Sequence, residues 1–137
     1  REQGRAVLTL IRFSWGKEGS AFLKSFASMY IPDGSMAQLD SLAELQRQTT
    51  SPENAARLRE AVDSFDVSDL LDKLEVPTLV IHARNDGIHP IDQGRKLASG
   101  IANSQFVQLE SSNHVILQHE PAWTRLYEEI QGFIQGA

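Results

Sequence analysis

The sequence of 137 residues contains no cysteine, which excludes disulfide bonds and thiolate metal ligands. It has no apolar run near the roughly 18 residues of a membrane-spanning helix. No signal-peptide pattern is visible, so we expect a cytoplasmic protein that does not enter a membrane. The formal net charge is −5, which disfavours nucleic-acid binding because that function needs a basic face. The four histidines lack the H-x-x-x-H spacing of a helical zinc site, so we expect neither a metal nor a cofactor.

The first half of the chain has the apolar periodicity of helices. The pattern predicts helices over residues 1–15, 20–30 and 35–48, and a fourth that begins at Ser51. Serine is a favoured helix cap, and Pro52 is tolerated at the first helical position because its missing N–H has no partner there. The segment 67–74 is a short connection that ends before Pro77. The first half is therefore predicted to be entirely helical.

The second half alternates strands with helices. The continuously apolar run Thr78–Ile81 predicts a strand that is covered on both faces. Pro90 begins a helix, and Phe106–Leu109 predicts a second strand. A final helix over Pro121–Ile134 is expected to bury an apolar stripe formed by Trp123, Leu126, Tyr127, Ile130, Phe133 and Ile134. The order β-α-β-α predicts an α/β fold with parallel strands.

An acid follows the first predicted strand and a histidine follows the second. Asp86 lies in the loop after the first strand, and His114 ends the polar run after the second. Loops at the carboxyl ends of parallel strands share one edge of the sheet, where α/β enzymes place their sites. A turn-forming role remains an alternative for Asp86. Asp92 is a weaker candidate acid, because it falls in the first turn of a helix. We expect His82, at the end of a strand, to be packed and not catalytic.

The segments VPTLVIHARNDGIHP (76–90) and GRKLASGIANSQFVQLESSNH (94–114) resemble the last third of an α/β-hydrolase-fold domain. The resemblance implies that Asp86 is the acid and His114 the histidine of a catalytic triad. That family orders its triad as nucleophile, acid and histidine, yet no G-x-S-x-G motif occurs in this sequence. We therefore expect a carboxy-terminal fragment of the fold, without hydrolase activity of its own, in which residues 75–137 form part of the core.

Residues 1–74 resemble the helical lid of such a domain. The motifs IRFSWG (11–16) and TSPENAA (50–56) are most similar to hydrolase-like domains that are fused to winged-helix transcription regulators or class III adenylate cyclases. Trp15 and Phe22 are candidate substrate-binding residues of the lid, and the alternative for both is a place in the lid core. The implied substrate is an ester or a similar small molecule. The alternative function is a non-catalytic ligand-sensing or interaction module of a regulator.

The resemblance to an α/β-hydrolase has a further consequence for the strand at 78–81. In the whole fold it would pair with an upstream strand that this sequence does not contain. An open strand edge and bare apolar faces invite pairing with another chain. We therefore expect self-association through the sheet edge or the lid helices, for example as a two-fold dimer.

Overall fold

The computed structural model describes residues 2–136; Arg1, the first residue of the predicted first helix, lies outside them. The chain divides into two compact units. The first runs to Ser28 and resumes over Gly34–Asp66, and the second comprises Met29–Asp33 and the chain from Val67 onward. The assignment of 1–74 as a lid and 75–137 as core stays a prediction. None of the described helices is both long and apolar enough to cross a membrane.

The first unit is built from helices, as its periodicity predicts. They are α1 (Glu2–Ser14), α2 (Ala21–Tyr30, whose last two residues belong to the second unit), α3 (Met36–Thr49) and α4 (Pro52–Val62). The Ser35 hydroxyl accepts from the Gln38 N–H, and the Gln38 side chain accepts from the Ser35 N–H, so a capping box starts α3. Ser51 caps α4 in front of Pro52. The buried core of this unit consists of Ile11, Trp15, Leu23, Ala27, Ala43, Ala55 and Ala56.

The second unit contains two parallel strands joined by a helix. A 3₁₀ turn (Ser68–Lys73) precedes β1 (Thr78–Ala83), which is followed by α5 (Ile91–Gly100), β2 (Ser104–Leu109) and α6 (Pro121–Gly136). β1 pairs with β2 in register from Thr78 opposite Ser104 to Ala83 opposite Leu109. The predicted parallel β-α-β unit is confirmed. Both strands therefore end at the same edge of the sheet.

Two predictions of burial are wrong for the described residues. All of β1 except Ala83 is half-buried, not covered on both faces. In α6, Ala122 is buried, whereas the predicted stripe is exposed at Trp123, Tyr127, Ile130 and Ile134. The helix has the predicted amphipathic period, but residues 2–136 supply a covering layer for only part of its apolar face. Periodicity predicts that a face is apolar and does not specify what covers it.

A glycine allows α5 to approach β1 closely. A Cβ atom added at Gly94 would lie 2.6 Å from Nδ1 and 3.0 Å from Cγ of His82. Gly94 is buried, and the His82 ring cannot move freely because its Nε2 lies 2.8 Å from the His89 carbonyl oxygen. A side chain at position 94 would therefore push the helix away from the strand or displace the ring.

We predict that Gly94→Ala lowers the free energy of unfolding by about 1–3 kcal/mol, which is the usual cost of overpacking a tight contact. Gly132→Ala is the matched control, because Gly132 also lies within a helix and has no atom within 4 Å of an added Cβ. That variant should gain about 0.5–1 kcal/mol from the better helix propensity of alanine. Urea unfolding of both variants measures the difference, and equal effects would contradict the close approach of α5 to β1.

Candidate functional site

The site begins where the two strands end. The Arg84 N–H donates to the Leu109 carbonyl at 2.8 Å, and the Asn85 N–H donates to the Ser111 carbonyl at 3.1 Å. These bonds extend the pairing past the strands into the two loops. The loop after β1 is thus held beside the loop after β2, and the residues that follow are brought together.

Asp86 and His114 are in direct contact at this edge. The Nδ1 atom of His114 lies 2.6 Å from Oδ2 of Asp86. The Asp86 side chain is 4% exposed, whereas that of His114 is 33% exposed. An ionised carboxylate only accepts hydrogen bonds, so Nδ1 carries the proton and donates it. The Nε2 atom of a neutral His114 is then the basic nitrogen.

The second oxygen of Asp86 holds its own loop. Oδ1 accepts from the N–H groups of Ile88 at 2.7 Å and His89 at 3.1 Å. Burial alone would raise the pKa of Asp86, but the hydrogen bonds from His114, His89 and Ile88 outweigh it and leave the pKa below its ordinary value. Asp86 is therefore an anion at neutral pH, and the turn-forming role and the contact with His114 are performed by the same carboxylate.

Three aromatic rings surround this pair. The Tyr30 ring meets the His114 ring edge-on at 5.5 Å between centroids, and the exposed His89 ring lies 5.5 Å away on a tilt of 57°. The Tyr30 carbonyl also accepts from the His114 N–H at 2.8 Å. His82 is packed, as expected, with Nε2 3.6 Å from Asp86 Oδ2, beyond hydrogen-bond distance. No pattern in the sequence predicts that Tyr30 lies beside His114.

A buried polar cluster lies under the histidine loop. Glu120 accepts from the Ser111 hydroxyl at 2.6 Å, from the Asn113 amide at 3.1 Å and from the Leu117 N–H. Asn113 is 1% exposed. Burial acts to raise the pKa of Glu120, but the bonds from Ser111, Leu117 and Asn113 leave it lowered. Sequence reasoning missed this residue, because an acid just before Pro121 is typical of an ordinary helix start.

The remaining candidates make other contacts within their own units. Asp92 is exposed on α5 and pairs with Arg95 at 2.9 Å. Trp15 is buried in the core of the first unit, where its Nε1 donates to the Gln46 carbonyl. Phe22 is partly buried and stacks on Phe26. For Trp15 and Phe22, substrate binding stays a prediction.

The second unit also has a cleft, and the described residues have no cluster suited to a metal ion. Within residues 2–136, no group of three or more histidine and acidic side chains is arranged to hold a metal ion. A cleft of about 430 Å³ is lined by Pro77, Asn103 and Phe133 among others. Pro77 and Asn103 precede the two strands, so this cleft lies at the opposite end of the sheet from Asp86 and His114 and is separate from them.

The lowered pKa of Asp86 makes stability depend on pH. Its contribution is fully present above the ordinary value of 3.8. It is lost as the pH falls through the lower folded-state pKa, because the unfolded chain then binds a proton that the folded chain does not. We predict that the unfolding free energy of the wild type falls more steeply below pH 3.8 than that of Asp86→Asn. Asp92→Asn, an exposed control, should keep the wild-type slope in denaturant titrations, and identical slopes for all three proteins would contradict the assignment.

Comparison with known proteins supports the fold. No protein-family model matches the chain. The chain is 39% identical over 62 residues to the RutD protein of Pseudomonas syringae pv. syringae. The matched segment covers 45% of this chain and 24% of that protein. It is 34% identical over 83 residues to a pimeloyl-acyl-carrier-protein methyl ester esterase of Neisseria meningitidis, which covers 58% of this chain and 31% of that enzyme. The chain thus spans about a quarter to a third of the curated relatives that it matches.

A solved structure resembles the chain over its whole length. This is olei00960, a hydrolase from Oleispira antarctica, with a TM-score of 0.80 and 19% identity over 100% of this chain and 48% of that protein. At this identity the likeness concerns the fold. Together with the parallel β-α-β unit, it confirms the predicted α/β fold class, and the chain has a fold like that of part of an α/β-hydrolase.

Proposed function

We propose that this chain supplies the histidine and the acid of a nucleophile-histidine-acid triad that hydrolyses an ester or a similar small molecule. His114 is the base and Asp86 is the acid. The nucleophile belongs to a strand–helix turn outside this sequence, because none of the 137 residues lies in a G-x-S-x-G motif. The esterase among the relatives acts on a methyl ester, which is consistent with this class of substrate.

The observation that carries the proposal is the bond between His114 Nδ1 and Asp86 Oδ2 at 2.6 Å. It fixes the tautomer in which Nε2 is free to take a proton. The Asp86 side chain is nearly buried and the His114 imidazole is partly exposed. An acid and a base of this kind need these two different environments.

In the proposed reaction, Nε2 takes the proton of the nucleophile as the nucleophile attacks the carbonyl carbon of the ester. The imidazolium that forms is stabilised by the Asp86 anion. His114 then gives the proton to the departing alkoxide as the ester C–O bond breaks. A water molecule repeats the sequence on the acyl-enzyme: Nε2 takes its proton, the hydroxide attacks, and the proton passes to the nucleophile as the carboxylic acid leaves.

The test uses p-nitrophenyl acetate and the complete protein that contains both this segment and the nucleophile turn. His114→Ala and Asp86→Asn should each lower kcat by about 10³-fold or more, because removal of one triad member disables the unit. Asp92→Asn should stay within about twofold of wild type, because Asp92 is exposed and pairs with Arg95. The 137-residue chain by itself serves as the blank and should show no turnover that depends on His114.

Two results would refute the proposal. One is an equal loss of activity from Asp92→Asn and Asp86→Asn, which would show that the catalytic acid is not specifically Asp86. The other is turnover by the 137-residue chain that His114→Ala abolishes, which would require a nucleophile within it. A complete protein that binds a small ester without His114-dependent turnover would favour a ligand-sensing module.

A further inference from the structure

We propose that Glu120 is a positioning residue that holds His114 in the geometry required by the proposed triad. The inference rests on that proposed function for its catalytic consequence and on geometry alone for its structural part. Glu120 does not touch His114. It acts through the loop that carries the histidine, and it is the point at which three groups of that loop converge.

The hydrogen bonds of Glu120 define the path of the loop on both sides of His114. Before the histidine, the carboxylate accepts from the Ser111 hydroxyl and the Asn113 amide. After it, the carboxylate accepts from the Leu117 N–H. His114 is therefore the apex of a loop whose two arms are tied to the same carboxylate. Movement of either arm breaks at least one charge-assisted hydrogen bond, the stronger kind.

The charge of Glu120 also sets the orientation of its partners. A carboxylate accepts only, so the Asn113 NH₂ group must face Glu120, and the Asn113 oxygen is then placed to accept from the Asp33 N–H at 3.1 Å. The Ser111 hydroxyl gives its single proton to Glu120 and accepts from the Asn113 N–H at 3.0 Å. Reversal of any one group would leave buried donors facing each other. The network has one arrangement, and it includes the backbone N–H of Asn113, the residue before His114.

A glutamine at this position cannot replace the carboxylate. Its one oxygen can accept on the side of Asn113 and Leu117 or on the side of Ser111, and its NH₂ group would face the other side. At least one donor then loses its acceptor, and the loop is free to relax. A small displacement of a catalytic group is costly for rate, since a misplacement of about 1 Å can reduce turnover on the order of a hundredfold.

The experiment compares Glu120→Gln with Glu128→Gln. Glu128 is exposed on α6, so Glu128→Gln makes the same chemical change outside the hydrogen-bond network of Glu120. In the 137-residue chain, proton NMR should show the low-field resonance of the His114 Nδ1–H weakened or shifted in Glu120→Gln and unchanged in Glu128→Gln. Amide exchange at Asn113 and Leu117 should accelerate in the first variant alone.

In the complete protein, Glu120→Gln should lower kcat on p-nitrophenyl acetate by roughly ten- to a hundredfold, with KM within about twofold, because Glu120 does not meet the substrate. If Glu120→Gln does not fold, Ser111→Ala removes only one of the three hydrogen bonds to Glu120 and should produce smaller changes of the same kind. Unchanged His114 and amide signals in the folded variant would overturn the positioning role. Absence of turnover in wild type would refute the proposed function and leave the NMR result to decide the positioning role.

Discussion

The parallel pairing of β1 with β2 is the constraint on which the site depends. Because Ala83 lies opposite Leu109, the loops after the two strands start side by side, and two further backbone bonds keep them together. Asp86 and His114 are far apart in sequence. Each follows the end of one of the two strands within a few residues, so their side chains can meet. If the strands were antiparallel, the same two loops would lie at opposite ends of the sheet.

Hydrogen bonds stabilise the ionised forms of two partly buried carboxylates in the same way. Asp86 and Glu120 each accept hydrogen bonds from backbone N–H groups and from side chains of the second unit. These bonds offset the desolvation of the charge and lower both pKa values. One carboxylate orients the imidazole directly, and the other holds the loop that carries it. The imidazole itself stays accessible, as a group that exchanges protons with a substrate must.

The fold was largely predictable from the sequence, because most helices and strands are specified by residues close to them in the chain. The apolar runs at 78–81 and 106–109 predict the two strands, which the structure extends by two residues each. Helices α2 to α6 start at or directly after a proline or a serine, so each of these elements is encoded within a few residues. The parallel rule places Asp86 and His114 at one edge of the sheet, and the resemblance to α/β-hydrolases supplies the expectation that the two residues act together. What covers Trp123 or Ile134 is decided by layers beyond the helix itself, and no periodic pattern contains that information. Tyr30 ends α2 and Glu120 precedes α6, and both contact a histidine loop of irregular backbone, for which sequence spacing gives no geometry.

We infer that Asp86 holds the proton on Nδ1 of His114 and leaves Nε2 as the base. Nitrogen-15 NMR of the neutral imidazole side chains measures this tautomer directly. We predict a protonated Nδ1 and an unprotonated Nε2 for His114, and a loss of that preference in Asp86→Asn. A proton on Nε2 in the wild type, or the same tautomer in both proteins, would contradict it.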